Sequence, residues 1–200
     1  MAVLSERARK RACDVALTAF AGSLAWLIQL TVLNNFSFQG VICNLPLIFT
    51  ALWGSVFGSR LPPLTPDDLR KAKVREIFLH QLLSGSTSGA LVGAFVGALY
   101  ASVLPAYPLC FPVIGWVTGY FCLRNLNQET LICIPLVLLA TVAAESIMAW
   151  QLWMLGRPDV FSHLAQIALP EGLLNALIAP FVYFPMRRYY DFSTAEEATG

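Results

Sequence analysis

The sequence predicts an all-α integral membrane protein with six transmembrane helices. Three observations carry that expectation. The 200 residues are 57% hydrophobic and only 12% charged, where a soluble domain has about 25% charged residues, so there is too little charge to cover a globule. The mean hydropathy is +0.64, and the apolar residues fall in long runs joined by short polar segments. Nearly all the basic residues lie in alternate joints, as the positive-inside rule requires of an even number of spans.

A bilayer core about 30 Å thick needs roughly 20 apolar residues per helix. The runs that qualify are Val15–Leu33, Gln39–Gly58, Thr87–Leu104, Tyr107–Leu123, Leu131–Leu155 and Leu169–Met186. Backbone polar groups in lipid must pair within the segment, which selects helices, and the alternation of a barrel is absent. The leader, residues 1–14, is basic, and the run after it is longer than the core of a cleaved signal peptide, so it reads as a retained first span. Twelve of the thirteen Lys and Arg residues lie in the leader, the joint 59–86, the joint containing Arg124 and the tail 189–200 with the Arg187–Arg188 pair before it. Arg157 alone falls on the other side. Both termini are therefore expected in the cytoplasm, flanking a single membrane domain over residues 15–188.

Two joints have their own helical signals. In the joint 59–86, Thr65, Pro66 and Asp68 form an N-cap, a first-turn proline and a capping box, which predicts a cytoplasmic helix from Pro66 to about Leu83. In residues 159–169, Asp159 is the expected N-cap. Val160, Phe161, Leu164 and Ile167 share one face and Ser162, His163 and Gln166 the other, which predicts a short amphipathic helix on the outer surface.

Several classes of function lack the residues they need. A net charge of +1 with no basic groove gives no reason to expect nucleic-acid binding. The five cysteines show no CxxC spacing and no accompanying His pair, so no zinc or redox site is predicted; they read as small apolar residues. A disulfide between Cys43 and Cys110 is compatible with their positions but nothing supports it. "GSTSG", Gly85–Gly89, lacks the order of a nucleophile elbow. No P-loop or dinucleotide fingerprint is present, and no enzyme activity, metal or cofactor is expected.

The candidate residues concern packing and partners instead. Gly89, Gly93 and Gly97 repeat every four residues and give one helix face a stripe without Cβ atoms, on which another helix can approach closely. Packing inside the chain's own bundle is the favoured use of that stripe, and docking of a foreign helix the sharper alternative. Glu145 lies near the middle of the fifth run, where a lipid-facing charge costs roughly 2.5–3.5 kcal/mol on insertion scales, so it should face protein or a wet cavity. No span offers it a mid-membrane Lys, Arg, His or Asp, and a structural or inter-subunit hydrogen bond is the expected role. The sixth run, "LPEGLLNALIAPFVYFPMRR", places Pro170, Glu171, Asn175 and Pro180 within an apolar stretch that ends in a basic anchor.

With "NLPLIF" (Asn44–Phe49) and "GALVGAFVGALYAS" (Gly89–Ser102), that block resembles, in order, the bacterial rod-shape-determining MreD family. The likeness lies in Pro170, Asn175, Ala179–Pro180, Tyr183 and Arg187, and the 28-residue joint Ser59–Ser86 is longer than is usual there. The resemblance implies a bundle like the S-component of energy-coupling-factor transporters. It also implies a non-enzymatic scaffold in the bacterial inner membrane, in contact with membrane lipid. An MreC-like protein would be its partner, and through that protein the MreB filament and the polymerase and transpeptidase of peptidoglycan synthesis. The alternative is a small-molecule (vitamin) binding subunit of a transporter, with the outer helix and the aromatics Trp26, Tyr107, Trp150 and Trp153 forming a lid and pocket.

Overall fold

The protein is seen here in a computed structural model that describes residues 6–38, 40–58, 75–76, 80, 85–100, 107–124, 130–157 and 160–199. Apart from one two-residue hairpin the described residues are almost entirely helical. Six α-helices are described: α1 (Glu6–Thr31), α2 (Leu45–Val56), α3 (Thr87–Tyr100), α4 (Tyr107–Thr118), α5 (Cys133–Met154) and α6 (Val160–Thr199). Three segments are long and apolar enough to cross a membrane, Ala12–Asn35, Cys133–Met154 and Gln166–Phe192, and three further apolar helices are shorter.

The short helix α2 is the hub, in contact with all five others. Apart from Leu45 and Trp53 every residue of it is buried, as befits a helix that is apolar on every side. α3 and α4 form one tight pair and α5 and α6 another, while α1 lies against α2 and α3. Most of α1 remains outside the core: Val15 and Phe20 are exposed, which in a membrane places them against lipid.

The second apolar run departs from the single helix expected over Gln39–Gly58. Its first part is a hairpin, with Ser37 opposite Ile42 and Phe38 opposite Val41. Gly40, at φ +81°, makes the turn, a backbone region that L-residues with a Cβ rarely adopt. The helix starts only at Leu45, because Asn44 is a side-chain cap and Pro46 occupies an early position where its missing N–H costs nothing.

The surface helix expected over 159–169 also differs. It is continuous with the last span in the 40-residue α6. Pro170 removes one backbone hydrogen bond, but neither Gly172 nor Asn175 after it leaves the helical conformation for the left-handed one that ends a helix, so the helix runs through. Asp159 and the side chain of His163 lie outside the described residues. The same holds for most of the predicted helix 66–83, of which only Arg75, Glu76 and His80 are described, all three helical. Cys43 and Cys110 are buried free thiols, and Cys110 donates to the Ala144 carbonyl at 3.6 Å.

Candidate functional site

The glycine stripe forms the first part of the interior. A Cβ on Gly89 would overlap the Gly115 carbonyl oxygen and stand 2.8 Å from the Gly54 Cα, so α2, α3 and α4 meet glycine against glycine. A Cβ on Gly93 would likewise overlap the Phe111 carbonyl, 2.8 Å from the Pro112 nitrogen. Gly97 is buried on the same face. These glycines are used inside the chain. Ser86, in the motif that superficially resembles a nucleophile elbow, is the cap of α3: its hydroxyl accepts from the Gly89 N–H at 2.8 Å, and its own N–H donates to the Trp116 carbonyl at 3.1 Å.

The second part is a buried polar cluster where α2, α5 and α6 converge. Asn175 is completely buried, and its amide contacts each of those helices. Its Oδ1 accepts from the backbone N–H of Asn44 at 2.7 Å. Its Nδ2 donates to Thr141 Oγ1 at 3.0 Å and, at the long limit of 3.5 Å, to Glu171 Oε1 one turn earlier on α6. Glu171 is also hydrogen-bonded to the Asn44 side chain and to Glu145. Glu145, on α5, is therefore buried against a carboxyl partner. A hydrogen bond between two carboxyl groups needs a proton on one of them.

The cluster sits at the N-terminus of α2 and completes the pairing of its first turn. The N–H groups there have no partners within the helix. That of Leu45 donates to Gln29 Oε1 at 2.8 Å and that of Leu47 to Asn44 Oδ1 at 3.2 Å. Pro46 has none, and the N–H of Ile48 reaches the Asn44 carbonyl at 3.1 Å. Gln29 in turn donates to Asn34 Oδ1 at 3.0 Å. The positive end of the α2 dipole thus faces Glu171, an arrangement that favours an acidic side chain.

Of the residues singled out in the sequence, Glu145, Glu171 and Asn175 come together here. Gly89, Gly93 and Gly97 form the separate α3 face, and Pro170 and Pro180 are half-buried positions of α6. Sequence reasoning missed Gln29, Asn44 and Thr141 as members of the cluster. A lone glutamine in the first apolar run and the Asn-Leu-Pro start signal of α2 were the available clues. Thr141 left none, because a mid-helix threonine commonly bonds its own helix, as here to the Val137 carbonyl at 2.9 Å.

The chemistry of the arrangement is cohesive: three helices are tied by amide, hydroxyl and carboxyl groups that satisfy one another at low dielectric, where such bonds are strong. In comparisons with known proteins, no protein family, no curated protein and no solved structure matches this chain.

Proposed function

We propose that this chain is a six-span, non-enzymatic membrane scaffold of the MreD kind, with both termini in the cytoplasm of a bacterium. In this reading it binds an MreC-like protein and, through it, links an MreB-like filament to the enzymes of peptidoglycan synthesis. One observation carries the reading. The inward side chains of the block on which the resemblance rests, Glu171 and Asn175, are hydrogen-bonded within the chain itself. A subunit built to capture a vitamin needs polar groups directed at its ligand, whereas a scaffold needs a frame that holds its shape.

In this reading the shorter helices α2, α3 and α4 supply the other three crossings. α2 is 12 residues long, about 18 Å at 1.5 Å per residue, and the hairpin before it, with Ser37 exposed, stands at its outer end. The partner-facing surface is the outward side of α6, where Leu173 and Leu177 are 63% and 71% exposed. They lie one turn apart, on the face opposite Asn175, and offer a ridge to a single-span partner.

The test is capture of the tagged chain from its own membranes in mild detergent, with cross-linking and mass spectrometry. An MreC-like protein or wall-synthesis enzymes cross-linked to α6 are the expected result. Recovery of paired ATPases with a membrane coupling subunit would overturn the reading in favour of a transporter.

A further inference from the structure

The buried carboxyl pair lacks a cationic partner. Glu145 and Glu171 are 7% and 6% exposed and are hydrogen-bonded to each other between α5 and α6. The titratable groups that face them are Cys43 ahead of α2, Tyr100 of α3 and Cys110 of α4, none of which can carry a positive charge. α1 reaches the cluster through the uncharged Gln29, and the start of α2 through the uncharged Asn44. Among the described residues no Lys, Arg or His is paired with either carboxyl. The neutralising charge is therefore a proton, which the bond between the two carboxyl groups already requires. Without it two negative charges would stand in hydrogen-bonding contact away from water, where like charges repel strongly.

The place of the pair gives that proton a mechanical consequence. α5 and α6 run antiparallel, and Thr141 with Asn175 is one clasp between them. Glu145 with Glu171 is the next, one turn closer to the connection that joins the two helices. Beyond it lies an arm of α6, residues 160–169, on which Ala168 is buried. Pro170 stands at the root of the arm and leaves the Gln166 carbonyl without its i+4 donor. The backbone of α6 thus lacks a bond beside the point where the pair ties it to α5.

We propose that the shared proton is a latch: while it is bound the arm lies against α5, and when it leaves, the arm swings away about Pro170. Opening is favoured as pH rises, because the closed form holds a proton that the open form has released. The latch belongs to the bundle and does not depend on the partner proposed above.

Ala168→Cys places a thiol under the arm, and its alkylation by N-ethylmaleimide in detergent, read by peptide mass spectrometry, reports the open form. Each rate is divided by that of the same thiol in a Glu145→Gln chain at the same pH, so that thiol ionisation cancels. The ratio should rise about tenfold per pH unit, the mark of one proton released on opening. Glu171→Gln as a second reference should give the same slope, and a different slope would overturn the shared proton. Pro170→Ala restores the missing backbone donor and should lower the ratio at every pH while keeping the slope; no change would overturn the hinge. A ratio indifferent to pH would overturn the latch. So would protection of the thiol when sodium replaces choline at constant pH, which would give the pair to a metal ion.

Discussion

A buried side-chain amide has two donors and an acceptor oxygen to satisfy, and Asn175 does so with Asn44, Thr141 and Glu171. Asn175→Leu keeps the branched shape but leaves the Asn44 N–H without its acceptor. A loss of about 1–3 kcal/mol is expected, read as a lower midpoint of denaturation in detergent. The carboxyl pair predicts a contrast between two changes. In Glu145→Gln an amide, which can donate or accept, takes the place of one carboxyl of the pair and can still bond Glu171, so the protein should keep its stability and partner capture. Glu145→Leu takes one partner from buried Glu171, leaving it only Asn44 and Asn175, and should lower the same midpoint. Loss of function in a well-folded Glu145→Gln variant would instead assign the acid a role in chemistry or proton movement. The burial of Glu145 was legible in the sequence from its place in an apolar run. Its partner was not, because 26 residues and the turn between α5 and α6 separate it from Glu171.

Among the helices, the glycine contacts separate positions that look equivalent by composition. Gly89→Leu or Gly93→Leu forces a side chain into a neighbouring backbone carbonyl and should cost about 1–3 kcal/mol or more. Gly172→Ala, whose added Cβ would find its nearest neighbour 3.5 Å away at the Leu138 carbonyl, should be close to neutral. Unfolding midpoints of the three variants side by side check this. The four-residue spacing made the α3 face readable in advance. Its partners Gly54 and Gly115 are each followed by a glycine four residues on, Gly58 and Gly119, but spacing says that helices approach and not which ones do. The hairpin before α2 was hidden for a different reason: a hydropathy average over Gln39–Gly58 cannot see that one cap and one proline postpone the helix to Leu45. The continuity of α6 was missed because Pro170 and the change in amphipathic pattern near it suggest a boundary, although one absent backbone bond is too little to end a long helix.

For the whole molecule, membrane character and all-helical class were legible from composition and run length, and the described helices agree with both. The proposed six-span topology predicts that Ser37→Cys, in the hairpin, reacts with an impermeant maleimide on intact cells, whereas Cys13 reacts only after permeabilisation. The reverse pattern would invert the orientation. For partner capture, the joint change Leu173→Ala with Leu177→Ala flattens the outward ridge of α6. It should reduce recovery of an MreC-like protein while the midpoint of denaturation stays near that of the parent chain.

The hydrogen bond between Asn44 and Asn175 joins residues 131 positions apart, and that separation sets an order of events. At about 5–20 residues per second, Asn175 is made roughly 7–26 s after Asn44. Throughout that interval the start of α2 lacks one of its acceptors inside the membrane. A nascent chain must therefore wait, shielded by α1 and the insertion machinery, for its last helix. Chains truncated before Asn175 should be cleared by membrane proteases within minutes, as a pulse-chase would show, and chains truncated after α6 passes the arginine pair should persist.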